Sequence, residues 1–175
     1  LLSSYKKSFE DVNKIVDNKN IQKFICEIDK NLKIIGITFT GKVFHIDWES
    51  NINNDNKLDS KILGNIDPNE IINFHSIKKG IKNYLCILNS DGRFKKVLFD
   101  EDMIKSNRSF AITKLKNNIK TVDSFIYIEN KNLAILTSIG RIFKFNLSNK
   151  FLAPTSKQSQ GLILTKLLPT EKIVS

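Results

Sequence analysis

A pattern that returns about every 50 residues constrains this chain more than any other feature. Leu32–Trp48 reads LKIIGITFTGKVFHIDW, Tyr84–Phe99 reads YLCILNSDGRFKKVLF, and Leu133–Leu147 reads LAILTSIGRIFKFNL. Each is an apolar run, a few small or polar residues, a glycine, a basic residue, and a second run that mixes apolar residues with Lys or His. Self-similarity at this period marks an array of supersecondary units, and its length is that of one propeller-type blade. The first runs (Ile34–Ile37, Leu85–Leu88, Leu133–Leu136) are almost continuously apolar, which predicts strands covered on both faces. Gly41, Gly92 and Gly140 mark the turn, where a tight hairpin requires positive φ. The expected fold is therefore all-β: a partial propeller-like array of blades, about three in number.

The residues after each glycine keep register. Lys42, Arg93 and Arg141 stand first after it, and His45, Lys96 and Lys144 stand fourth. Apolar residues take the second and fifth places (Val43 and Ile46, Phe94 and Val97, Ile142 and Phe145), which predicts one shared exposed aspect for the basic positions. The latter half of each unit repeats more loosely. Ser106–Ile112 lines up with Ser156–Leu162, Thr113-Lys114-Leu115 answers to Thr165-Lys166-Leu167, and Asp67–Ile72 resembles Pro169–Val174. The units run over about 20–66, 67–117 and 118–175, with Asn51–Asp59 as a polar loop insert. In residues 1–19, Tyr5, Phe9, Val12 and Val16 fall at helical spacing. Register with Leu98–Asn118 instead makes this segment the closing strands of a preceding blade, and that reading is preferred.

Charge decides the class of partner. With 28 Lys and Arg against 18 Asp and Glu, the net charge of +10 attracts polyanions, whether nucleic acid or an acidic membrane surface. At 41% apolar residues the chain is too hydrophobic for a disordered basic tail, so the charge belongs to a folded body. The absence of a long apolar run and of signal-peptide order predicts a soluble, intracellular chain without membrane contact. Cys26 and Cys86 lie in apolar runs without CxxC spacing, which predicts buried thiols, and neither a disulfide framework nor a metal site. His45 and His75 lack an acid or thiol companion, and no P-loop, GxSxG or paired-carboxylate motif occurs. The residues thus specify binding and no catalytic centre.

Leu133–Ser175, with GRIFKF, then SKQSQGLIL, then LLPTEKIV, resembles a blade of the C-terminal domain of DNA gyrase A or of its topoisomerase IV counterpart. The resemblance extends over roughly Asn20 to Ser175. It implies a β-pinwheel of four-stranded blades whose neighbours exchange a strand, with duplex DNA running around a basic rim. Lys42, Arg93, Lys96, Arg141 and Lys144 match the family's basic hairpin positions, and Lys157, Gln160 and Gly161 match its Gly-Arg-x-x-Gln-Gly-Val strand. Lys95 and Arg108 complete the implied DNA-binding set. The resemblance further implies, as partners, the catalytic part of the A subunit together with the ATPase B subunit. It implies ATP and Mg in that holoenzyme but no cofactor in this chain, and a place at the bacterial nucleoid in the cytoplasm. The strand-passage tyrosine has no counterpart setting, since Tyr84 and Tyr127 lie in apolar strand runs and Tyr5 has no arginine beside it. The Gln-Arg-Arg-Gly-Gly-Lys-Gly box of gyrase-type proteins is absent, which leaves two readings: a box-bearing blade outside this sequence, or a topoisomerase IV-like copy that bends DNA without wrapping it. A propeller-type protein-interaction scaffold is the competing class, although Asp47-Trp48 reverses the Trp-Asp mark of one such family.

Overall fold

The computed structural model describes residues 31–46, 66–99, 103, 109–148 and 152–175. Residues 1–19, Cys26, the Asn51–Asp59 insert and Arg108 lie outside the described residues, and with them the readings made of them. Among those described the named elements are strands, with a short 3-10 turn at Pro68–Glu70. The strands are β1 (Leu32–Thr38), β2 (Lys42–Ile46), β3 (Ile71–Lys78), β4 (Asn83–Asn89), β5 (Arg93–Phe99), β6 (Phe110–Ala111), β7 (Thr121–Ile126), β8 (Asn132–Leu136), β9 (Ile142–Asn146) and β10 (Leu162–Ile163).

The three apolar–glycine–basic motifs are the hairpins β1–β2, β4–β5 and β8–β9. One turn is built three times: the amides of Gly41, Gly92 and Gly140 donate to the carbonyls of Thr38, Asn89 and Thr137 at 3.0, 3.0 and 2.9 Å. The glycines have φ of +76°, +80° and +82°, where a Cβ would crowd the following carbonyl. Three loop residues ending in a left-handed glycine form the bulged turn that lets the two strands keep their twist.

Sheet membership does not follow chain order. The first sheet has the order β3-β1-β2-β6 and the second β10-β5-β4-β7. Thus β6, which follows β5 in the chain, closes the preceding sheet against β2, and β10, which follows β9, closes the second sheet against β5. The pairing sets Phe110 against Val43 and Leu162 against Phe94. Phe110, and not Ile112, is therefore the counterpart of Leu162, so the expected match of Ser106–Ile112 to Ser156–Leu162 is out of register. A two-residue strand carries no alternating pattern by which sequence could fix its pairing. The sheets also cut across the sequence units, since β3 pairs with β1 and β7 with β4.

Packing stacks the sheets face to face. Ile35, Ile37 and Val43 of the first sheet meet Leu85, Ile87, Val97 and Phe99 of the second. From the opposite face of the second sheet, Cys86, Leu88 and Phe94 meet Ile135 of the third, with Phe143 and Phe145 alongside. The β4 run is accordingly buried on both sides, as a continuous apolar strand demands. The third sheet departs from the expectation. Its β8 alternates between covered and exposed residues, because no sheet among the described residues lies over its far face. Ile142 is 72% exposed, whereas its counterparts Val43 and Phe94 are each 1% exposed.

Candidate nucleic-acid interface

The hairpins deliver the predicted basic residues to three different environments. Lys42 is exposed at the start of β2, its amide held by Thr38 Oγ1 at 3.1 Å. Arg93 is engaged by an acid: its Nε lies 3.2 Å from Asp91, and Nη1 reaches the Gly161 carbonyl at 3.4 Å. Arg141 is held along one edge by both carboxylate oxygens of Glu171, Nε donating to Oε1 at 2.8 Å and Nη2 to Oε2, while Nη2 also reaches the Lys166 carbonyl. Hydrogen bonds from Arg141, and then from Thr137 and the Leu168 amide, hold the Glu171 carboxyl down at about 2. Both arginines therefore serve local architecture first, through acids that their own turn or a distant loop supplies.

Lys96 does not join the predicted exposed aspect, and Lys95, named in the implied DNA-binding set, is buried as well. The Lys95 side chain is 1% exposed, and its ammonium donates to the carbonyls of Ile112, Lys157 and Ser159 at 2.7, 2.6 and 2.8 Å. Burial lowers its pKa to about 8, and the carbonyls supply the partners a buried amine requires. Lys95 occupies the slot of Phe44 and Phe143 and ties the segment leading into β10 to the segment after β6. Lys96, 2% exposed, places its ammonium 3.4 Å from the Tyr127 ring centroid and 4.6 Å from that of Tyr84. The two tyrosines meet edge to face at 6.3 Å. The fourth position after the glycine points toward the next sheet and not outward, so Lys144 is exposed only on the uncovered face of the third sheet. Lys157 sits half-buried with its ammonium 5.0 Å from the Phe110 ring.

Two loops that match each other in sequence, but lie outside the implied DNA-binding set, carry the exposed charge beside the turns. Thr113–Lys120 crosses from the first hairpin turn to the second: the Ile112 amide donates to Gly41 O, Thr121 N to Phe39 O, and Ser90 N to Lys120 O. Thr165–Lys172 repeats the crossing from the second turn to the third, with Leu164 N to Gly92 O, Ile173 N to Ser90 O, and Ser138 N to Lys172 O. Asn118 and Thr170 both take positive φ, 65° and 69°, which marks the same loop conformation twice. Lys114 and Lys166 are counterparts, as are Lys120 and Lys172, and all four are exposed, as is Lys116. The repeated Thr-Lys-Leu marks Lys114 and Lys166.

Cys86 is buried, and burial pushes its thiol up to about 12, which leaves it without thiolate reactivity at neutral pH. Among the described residues no group of three or more His, Cys, Asp or Glu is placed to hold a metal ion.

These features define an all-β stack of hairpin sheets closed by exchanged strands. Compared with solved structures, the fold matches the C-terminal domain of DNA gyrase A at a TM-score of 0.63 and 20% identity, over 86% of this chain and 48% of that one. It matches the C-terminal domain of DNA topoisomerase IV at 0.66 and 20%, over 83% and 46%, and the E. coli ParC C-terminal domain at 0.62 and 15%, over 84% and 62%. The chain therefore spans about half the length of the first two of these domains and has their fold, the β-pinwheel. No protein-family model and no curated protein matches it.

Proposed function

We propose that this chain is a module that binds duplex DNA without sequence preference and bends it, within the A subunit of a type IIA topoisomerase. The observation that carries the reading is the exchanged-strand stack itself, which sets one lysine-bearing loop per junction along the row of hairpin turns of a chain with a net charge of +10. Lysine ammoniums displace counterions condensed on the duplex, a gain that requires no base contact. Bending 20–30 bp costs on the order of 1–6 kcal/mol, which charges spread over successive sheets can offset. In this reading the catalytic part of the A subunit, together with the ATPase B subunit, supplies strand passage and the ATP and Mg chemistry. This chain contributes no cofactor and works at the nucleoid in the bacterial cytoplasm. Bending is the deformation proposed, and a box-bearing blade outside this sequence would add gyrase-type wrapping.

A gel-shift titration of random-sequence duplex across a salt series tests the reading. Affinity is expected to fall by about 10³–10⁵ between 50 and 200 mM salt if six to ten phosphates are contacted. Binding that ignores salt, or none at 50 mM, would favour the protein-interaction scaffold instead.

A further inference from the structure

Each end of the stacked sheets carries lysines, yet they are arranged differently. At the end opposite the hairpin turns, Lys78, Lys82 and Lys131 are exposed, but the counterparts of Lys82 in the other units are Asn31 and Asn130, so the charge does not recur. At the turn end the charge recurs on the two crossing loops, the place of Lys120 and Lys172 being taken by Glu70 at the first hairpin. Lys114 and Lys120 flank one crossing loop, and Lys166 and Lys172 flank the next at the same loop positions. Sheets packed face to face stand about 10 Å apart, so equivalent lysines on consecutive loops advance by about that distance. A duplex carries one negative charge per about 1.7 Å of its axis, so cations about 10 Å apart each find a phosphate within reach. The hairpin arginines at the same end are committed to Asp91 and Glu171. Lys114, Lys166 and Lys172 form no ion pair among the described residues, and the ammonium of Lys120 rests 4.5 Å from the Phe39 ring.

We infer that the phosphate-contacting track of this protein is the turn-end surface made by the two crossing loops, with Lys114, Lys120, Lys166 and Lys172 as its contacts. Arg141 is a positioning residue in this assignment: through Glu171 and the Lys166 carbonyl it holds the second loop on its hairpin. The loops bridge successive turns, so a duplex lying across them contacts adjacent sheets together and follows the path on which they are stacked. This assignment rests on the duplex-DNA reading above and locates its surface.

The test uses the full chain and fluorescence anisotropy of a labelled random-sequence duplex from 50 to 200 mM salt. Two variants remove equal charge from the two ends: Lys114→Ala with Lys166→Ala and Lys172→Ala, and Lys78→Ala with Lys82→Ala and Lys131→Ala. Lys120 is spared because its loss would also disturb Phe39. The turn-end variant is expected to lose affinity for every duplex alike and to reduce the slope of log K against log salt by about 2.7, near 0.9 for each phosphate no longer neutralised. The opposite-end variant is expected to keep the unaltered slope. Equal losses in both variants, or a loss confined to the opposite end, would overturn the assignment while leaving duplex binding intact. Failure of the unaltered chain to bind at 50 mM would remove the DNA reading, and the track with it. Thermal melting of both variants checks that neither result comes from unfolding, and a melting loss in the turn-end variant is resolved by Lys→Gln at the same three positions, which must reproduce the slope change.

Discussion

The second and third sheets are built from nearly the same sentence of sequence and live in different surroundings. In both, an apolar strand leads through a left-handed glycine to an arginine and an alternating strand. The second is covered on both faces and has its exchanged strand, β10. The third has one face covered, and β9 has no second neighbour among the described residues. Phe94 is sealed and Ile142 is in water; Lys96 lies against two tyrosine rings and Lys144 is solvated. A motif thus specifies strand, turn and facing, whereas burial is conferred by neighbours. The same lysine position can be a packing residue in one sheet and a surface charge in the next.

Truncations at matched positions should separate the two sheets most widely. Phe94→Ala removes a fully buried ring and is expected to cost about 3–5 kcal/mol, whereas Ile142→Ala should stay within about 0.5 kcal/mol. Urea unfolding of both variants measures the gap, and similar losses would mean that the third sheet's far face is covered. The turns come next. Valine at either glycine is strained by about 1–2 kcal/mol at positive φ. At Gly92 the new Cβ would also meet the Thr165 carbonyl oxygen at 3.0 Å, while at Gly140 it meets nothing within 4 Å. Gly92→Val should therefore lower the melting temperature more than Gly140→Val, and the reverse order would contradict the loop placement. Lys96→Ala forfeits ring contacts worth about 0.5–2 kcal/mol, against almost nothing for Lys144→Ala. Equal denaturation midpoints for these two lysine variants would show that the tyrosine pair contributes no stability.

The smallest effect distinguishes the two junctions. His75 lies between the first and second sheets, its Nε2 2.9 Å from Ser124 Oγ, where the second junction has Phe125 as the counterpart. Burial lowers its pKa to about 4, against the opposing pull of Asp123. The unfolded chain, with a histidine near 6.5, then binds more protons than the folded one between those values. Stability should fall as pH drops from about 6.5 toward 4 and be insensitive to His75 above that window. His75→Phe should flatten the midpoint between pH 6.5 and 5, where few carboxylates titrate; an unchanged pH profile would show that His75 is not the group responsible.

The period of the apolar–glycine–basic motif made the strands, the turns and the all-β class legible, because each depends on residues close in sequence. Strand exchange was not readable from pattern alone, since Phe110-Ala111 and Leu162-Ile163 are too short to declare a register; the family resemblance pointed to it. The inward fate of Lys95 had a visible clue, a lysine standing where Phe44 and Phe143 stand. Its three carbonyl partners come from segments far along the chain and could not be foreseen. Glu171, which claims Arg141, is likewise remote in sequence, so the hairpin arginines looked free. Lys114 and Lys166 were legible in the repeated Thr-Lys-Leu, but only the crossing of the loops over the turns gives that repeat a place beside the hairpins.

Because β6 closes the sheet begun by β1 and β2, that sheet stays incomplete until Phe110 has emerged from the ribosome, several seconds after Ile46 at about 5–20 residues per second. During that interval β2 offers an open row of amides and carbonyls to any passing strand. Vectorial synthesis thus makes each unit the chaperone of the one before it, and a stalled or shortened transcript would leave its last hairpin prone to pairing between molecules.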